Sequence, residues 1–297
     1  MVDNKEKQWK GSSRGGSLGH LFFVFTIKYL GIRAAYGLLC LVVVYFVPFA
    51  PKATAAVWYF HRKILKKSVI SSAFAILKHY YVFGQTIIDK VAILNGLKDR
   101  YKFEFENYST FLEILNSNTG VVMIGAHVGC WEMGAPFFGE YEAKMNVVMY
   151  DAEYQKIKDV LERSVEKNYK IIPVGIDSLD SIIRIKAALN KNEYICFQGD
   201  RFLDKSNVLE VNFMGNPALF PLGPYKIASR IKTPVVFYFA IREKGFKYKF
   251  HFVVANRADR KAEKSLEVQI LTQYIAELEK VAATSPFQWF NFYKFWS

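Results

Sequence analysis

The sequence predicts an α/β protein: a mixed, mostly parallel sheet flanked by helices, with an N-terminal apolar helical arm. Three observations lead there. From about residue 100, short apolar runs of strand length alternate with amphipathic stretches of helix length, the rhythm of βαβ units. Two polar signals, His127 and the tripeptide Gly199-Asp200-Arg201, each follow directly on such a run. Ligands of parallel sheets collect at the carboxyl ends of the strands, so both signals belong to one edge. Ahead of this alternation, the chain from Leu21 is strongly apolar, interrupted by Lys28 and Arg33 and then uncharged from Ala34 to Pro51.

Composition bounds the function. The chain has 297 residues, 52% of them apolar, enough for one large core. Its 26 Phe and 18 Tyr are many for a soluble enzyme and suit contact with lipid. With 40 basic and 27 acidic residues the formal charge is 40 − 27 = +13. Such a surplus favours an anionic partner: nucleic acid, an anionic membrane or an acidic carrier protein. The basic clustering adjoins the apolar arm, so a membrane surface is expected and nucleic acid is not. Cys40, Cys130 and Cys196 are widely spaced and form no CxxC, which signals neither a zinc site nor a disulfide framework. Cys40 and Cys196 read as core residues; Cys130 reads as a neighbour of the site rather than a nucleophile.

Residues 1–20, with Lys5, Lys7, Lys10, Arg14 and a GSSRGGS tract, read as a flexible basic N-terminus. Residues 21–98 read as a membrane-associated helical arm. As a helix, 34–51 is about 27 Å long, borderline for a bilayer. It is no signal peptide, because Phe46-Val47-Pro48-Phe49 makes a poor cleavage site. One transmembrane helix and a helix lying in the interface both remain open. Next comes His61-Arg62-Lys63 and Lys66-Lys67 beside Trp58, Tyr59 and Phe60, the pattern of a headgroup-level anchor. Helical periodicity over 64–97 predicts two or three helices.

Residues 99–297 read as the catalytic domain. Strands are expected at 101–106, 121–124, 146–150, 170–174 and 194–198, with helices at 109–117, 151–168 and 178–189 between them. Residues 207–213 form a short strand before a Gly215-Asn216-Pro217 turn. Pro221 and Pro224 suit the first turn of a helix running through Ile231. Strands at 233–242 and 247–255 flank a Lys244-Gly245 hairpin turn, and an amphipathic helix covers 261–283. The aromatic tail Pro286–Trp296 reads as a strap packed on the core rather than a lipid-facing lip.

The central stretch is Val121–Gly134. A buried strand ends at Gly125-Ala126; His127 follows, and Glu132 comes five residues later with Gly129 between. On a regular helix residues five apart point roughly 140° from one another, so the two meet only if the chain bends, and Gly129 permits that bend. The expected reading is a base, His127, whose ring is held by Glu132. Arg201 carries a fork of donors suited to phosphate or carboxylate, with Asp200 as its possible partner.

These residues resemble a known family. His127-Val-Gly-Cys-Trp-Glu132, Gly199-Asp200-Arg201, the run from Phe213 through Pro221-Leu-Gly223-Pro, and Gln288-Trp289-Phe-Asn-Phe-Tyr293 are similar in order and spacing to the lysophospholipid acyltransferase superfamily. Within it they resemble the bacterial lipid A biosynthesis (lauroyl/myristoyl) acyltransferases. Glu132 in place of Asp, and Gln198-Gly199-Asp200-Arg201 in place of a Glu-Gly-Thr-Arg-like block, point to that branch. The resemblance implies a glycerolipid-acyltransferase-like fold. It also implies direct transfer of a fatty acyl chain from acyl carrier protein, or acyl-CoA, to a hydroxyl of a membrane lipid. The acceptor it implies is a lipid A precursor, with a lysophospholipid, an aminolipid or a polyene-type lipid as alternatives; a catalytically inactive membrane-binding scaffold on the same fold is the other reading. His127 would be the general base and Glu132 its orienting acid. Gly199, Asp200, Arg201, Pro221 and Gly223 would bind substrate, and backbone N–H groups near Gly129 would receive the oxyanion. No metal or redox cofactor is implied. The expected location is the bacterial inner membrane, with the catalytic domain cytoplasmic.

Overall fold

The computed structural model describes residues 16–134, 138, 144–150, 169–174, 179–202, 205–257 and 265–296. The helix expected over 151–168 lies outside them.

Three helices open the described chain: α1 (Gly16–Leu30), α2 (Ile32–Phe49) and α3 (Pro51–Tyr59). Gly31, at φ 87°, separates the first two, and Pro51 opens the third. A π-turn at Phe60–Ile64 leads toward α4 (Val69–Leu94). Where two or three helices were expected there is one of 26 residues, started by Ser68, whose Oγ accepts from the Ser71 N–H at 3.2 Å. Gly84, the natural break point, does not break it. A Cβ there would sit 2.4 Å from Leu39 Cδ1, so this glycine is the notch into which α2 packs.

The remainder alternates as expected: β1 (Lys102–Glu106), α5 (Tyr108–Asn116), β2 (Val121–Gly125), β3 (Met145–Tyr150), β4 (Tyr169–Val174), α6 (Leu179–Asn190) and β5 (Tyr194–Gln198). Next come β6 (Val208–Phe213), β7 (Asn216–Pro221), α7 (Gly223–Arg230), β8 (Val235–Glu243), β9 (Lys247–Val254) and α8 (Leu266–Thr284). Among the described residues seven strands form one sheet in the order β1-β9-β8-β2-β5-β3-β4, in which only the β8–β9 hairpin is antiparallel. The smaller hairpin β6–β7 differs from expectation. Its turn is Met214-Gly215, both at positive φ (52° and 78°), the backbone that matches strand twist in a two-residue hairpin. Asn216 and Pro217 therefore belong to β7, and α7 starts only at Gly223, after Pro221 has closed the strand.

β2 is buried at every residue, because both faces of the sheet are covered. Val122 and Ile124 face one core, built with Tyr225 of α7, Ile270, Tyr274 and Leu278 of α8, and the tail. Val121 and Met123 face the other, built with Ile88, Val91 and Ala92 of α4 and with Phe111, Tyr238 and Phe250. The aromatic tail is a strap: Trp289, Phe290, Phe295 and Trp296 are all at most 6% exposed. Cys40, expected in the core, is exposed, because α2 buries a single stripe and Cys40 lies on the other side.

Candidate functional site

Strands β2 and β5 are parallel neighbours in strict register, Gly125 opposite Gln198. The Gly199 N–H donates to the Gly125 carbonyl at 2.8 Å and keeps the chains together one step past the sheet. His127 and Asp200 each lie two residues beyond a register partner, so they arrive side by side. His127 Nδ1 is 2.8 Å from Asp200 Oδ1, and the His127 backbone N–H donates to Oδ2 at 3.0 Å. A carboxylate only accepts, so Nδ1 carries the proton and the basic lone pair sits on Nε2. Nε2 has no hydrogen-bond partner among the described residues, and the imidazole is 26% exposed.

Asp200 is held from behind. Its side chain is 2% exposed, and Trp289 Nε1–H donates to Oδ2 at 3.2 Å. Burial alone would raise its pKa, but His127, and Arg201 to a lesser degree, hold it below the usual carboxylate range. The strap carrying Trp289 is stitched along the His127 segment: Phe290 N–H donates to His127 O and Gly129 N–H to Gln288 O, each at 2.8 Å. Arg201 does not pair with Asp200 by hydrogen bond. Its Nη2 donates to the Phe290 carbonyl at 2.8 Å and its guanidinium lies over the Tyr293 ring, while its buried Nε has no partner among the described residues.

Glu132 is not where the sequence reading put it. The turn does bend at Gly129 (φ 63°), where a Cβ would lie 1.8 Å from the Ala240 carbonyl oxygen. The bend carries Glu132, in the single 3-10 turn Trp131–Gly134, toward α4. There Lys90 Nζ donates to Oε1 at 2.9 Å and Cys130 Sγ–H to Oε2 at 3.5 Å, so both carboxylate oxygens have partners other than His127. Lys90 keeps the Glu132 carboxyl below its usual pKa against the opposing effect of burial. Burial first, and then the Glu132 carboxylate, push the Cys130 thiol well above its ordinary value, which disarms it as a nucleophile. The Gly129 and Cys130 N–H groups are spent on Gln288 O and Ala240 O, so neither is open to an oxyanion.

Pro221 ends β7 opposite Val208, and Gly223 opens α7; among the described residues no hydrogen bond joins either to His127, Asp200 or Arg201. Their link to the site is Tyr225, whose hydroxyl donates to the Gly199 carbonyl at 3.0 Å. A small crevice, with room for about one water molecule, lies among Met123, Trp131, Met145, Tyr238 and Gln198, whose buried Oε1 has no partner among the described residues. Sequence reasoning missed Lys90, and it singled out Trp289 as part of the tail block without giving it a partner, because their partners lie 42 and 89 residues away. The Asp200 partnership was readable, had the two strands been aligned as neighbours.

Comparison with known proteins places this site in context. The sequence model of one family, described as bacterial lipid A biosynthesis acyltransferase, matches residues 59–297. Among curated proteins, the phosphatidylinositol mannoside acyltransferase of Mycobacterium tuberculosis is similar, at 25% identity over 118 residues. That match covers 38% of this chain and 36% of the relative's length.

Proposed function

The chain belongs to the bacterial lipid A biosynthesis acyltransferase family, and we propose on that premise that it transfers a fatty acyl chain from a thioester donor to a hydroxyl of a membrane lipid. The observation that carries this reading is the His127–Asp200 pair at the carboxyl edge of the sheet, with Nε2 unbonded among the described residues on a partly exposed ring. A lipid hydroxyl is a poor nucleophile at neutral pH and needs a base within hydrogen-bond reach. His127 Nε2 takes its proton as the oxygen attacks the thioester carbonyl. The new C–O bond forms, the C–S bond breaks, and the imidazolium returns the proton to the departing thiolate. Asp200 fixes the tautomer and stabilises the imidazolium, the part first expected of Glu132. Glu132 acts one step back, with Lys90, by fixing the turn that presents His127. Arg201 holds the strap in place and offers its remaining donors to an anionic group of the acceptor. Gly199, Pro221 and Gly223 shape the adjoining wall through Tyr225.

Acyl carrier protein is the donor that the +13 charge favours, with acyl-CoA as the alternative of the same thioester chemistry. A lipid A precursor at the bacterial inner membrane is the acceptor the family favours, approached from the cytoplasmic side. A glycosylated phospholipid is the second reading, favoured by the name of the mycobacterial relative. Mass spectrometry of lipids from cells with and without the chain tests this. The expected result is one acyl group missing from one lipid class; an unchanged lipid profile would overturn the proposal.

A further inference from the structure

By length and composition α2 is long and apolar enough to cross a membrane, with a mean hydropathy of 2.0 over Ile32–Phe49. Its packing says otherwise. Ile32, Ala35, Leu39 and Val43 form a buried stripe. α2 runs antiparallel along the second half of α4: Tyr36 meets Asp89, Leu39 meets Gly84, and the Phe46 ring is 5.6 Å from that of Tyr80. The eleven residues from Tyr36 to Phe46, about 15 Å of helix, are thus fixed to α4. That half of α4 is itself part of the body, with Ile88, Val91 and Ala92 in the core beside Val121 and Met123.

The first turn of α2 is also tied to charges. The Tyr36 hydroxyl donates to Asp89 and accepts from Arg242 Nη2 at 3.0 Å; Arg242 Nε donates to Asp89 at 2.8 Å, and Asp89 is fully buried. To span about 30 Å of hydrocarbon, α2 would have to leave this bed or draw the buried Asp89–Arg242 pair toward lipid. Both are costly.

The outer face of α2 is nevertheless too apolar for water: Leu41, Val44 and Tyr45 are 71%, 65% and 69% exposed. A second exposed stripe, Ile70, Phe74 and Leu77, lies on the first half of α4. Charge identifies what covers them. Between Glu6 and Asp89 the sequence has eleven Lys and Arg and no acidic residue. Lys63 and Lys66, both exposed, stand just before the α4 stripe, near Trp58 and Tyr59. Apolar faces bordered by unopposed basic and interfacial aromatic residues match a leaflet of anionic lipid.

We propose that α2 does not cross the bilayer but lies along one anionic leaflet, so that the protein sits on a single side of the membrane. This rests on the reading that the substrate is a membrane lipid. Cys40, exposed and midway along α2, is a built-in probe, whereas Cys130 is buried. The full chain, labelled at Cys40, or at Gly37→Cys or Val44→Cys with Cys40→Ala, is bound to vesicles of phosphatidylcholine and phosphatidylglycerol. Depth is then read with quenchers placed along the lipid chains. A crossing helix would separate positions 37 and 44 by about 10 Å in depth; the expected result is one shared, shallow depth. Alkaline carbonate is expected to release the chain, and Lys63→Glu/Lys66→Glu to weaken vesicle binding by at least about tenfold. A depth gradient, retention in carbonate, or no vesicle binding by the intact chain would overturn the proposal. Normal lipid acylation by His127→Ala would instead overturn the acyltransferase reading and leave the seating intact.

Discussion

Two acid–base pairs flank the same short segment, and they differ in nearly every respect. His127–Asp200 joins the ends of two neighbouring parallel strands, is backed by Trp289, and leaves one ring nitrogen open. Lys90–Glu132 joins a helix to a single 3-10 turn and uses both carboxylate oxygens on its own partners. On the function proposed above, the open pair exchanges a proton with substrate, whereas the closed pair holds a shape. The comparison teaches that proximity in sequence placed Glu132 beside His127 on paper, while strand register placed Asp200 beside it in space.

The sharpest way to break that comparison is to remove the base. His127→Ala is expected to lower acyl transfer by at least about 10³-fold, the scale of losing a base together with its orientation. Turnover near the parent level in a folded variant would refute the mechanism. Asp200→Asn is expected to come next, at about 10²- to 10³-fold in kcat with little change in KM, because it disturbs the tautomer without touching substrate. Glu132→Gln is expected to fall below both, at about tenfold. If it matched Asp200→Asn, the assignment of orienting acid would move back to Glu132.

Stability sharpens the contrast further. Lys90→Met strands a carboxylate and is expected to cost about 1–3 kcal/mol in denaturant unfolding, below the range for fully buried pairs because both ends reach some solvent. Lys90→Met/Glu132→Gln is expected to recover most of that loss; simple additivity of the two single costs would show that the groups do not act as a pair. The smallest effect is the pH response. Asp200 and Glu132 both have folded pKa values below their ordinary ones. Between the two values the unfolded chain binds more protons, so their stabilisation is complete above the ordinary carboxylate range, about pH 4. It is lost as pH falls through the folded values. Thermal melts from pH 7 to pH 3 should therefore decline steeply in the parent and less so in Asp200→Asn or Glu132→Gln.

Most of the sheet was legible because strand and helix periods are local properties of a few residues each. Val121–Gly125 and Tyr194–Gln198 announce themselves by burial-grade side chains, and His127 and Gly199-Asp200-Arg201 follow at their ends. What was not legible depends on distant partners. The two or three helices expected over 64–97 prove to be one, with Gly84 laid against Leu39, and Glu132 reads as the acid that holds His127 until α4 brings Lys90. Met214-Gly215 lost to Gly215-Asn216-Pro217 as the expected turn because Pro217 looks like a turn residue. In a two-stranded hairpin, though, proline is tolerated in the strand. Cys40 looked like core because α2 is apolar all round, and composition does not say which side meets protein.

The strap also fixes an order of events. The ribosome delivers His127 and Asp200 long before Trp289 and Phe290, yet those later residues hold the back of the carboxylate and the backbone of the base. The chain therefore carries the pair through 89 further residues of synthesis without the wall that aligns it. A polypeptide interrupted before Gln288 would hold His127 and Asp200 without the Trp289 and Phe290 hydrogen bonds that back them, so arrival of the strap completes the geometry of the pair.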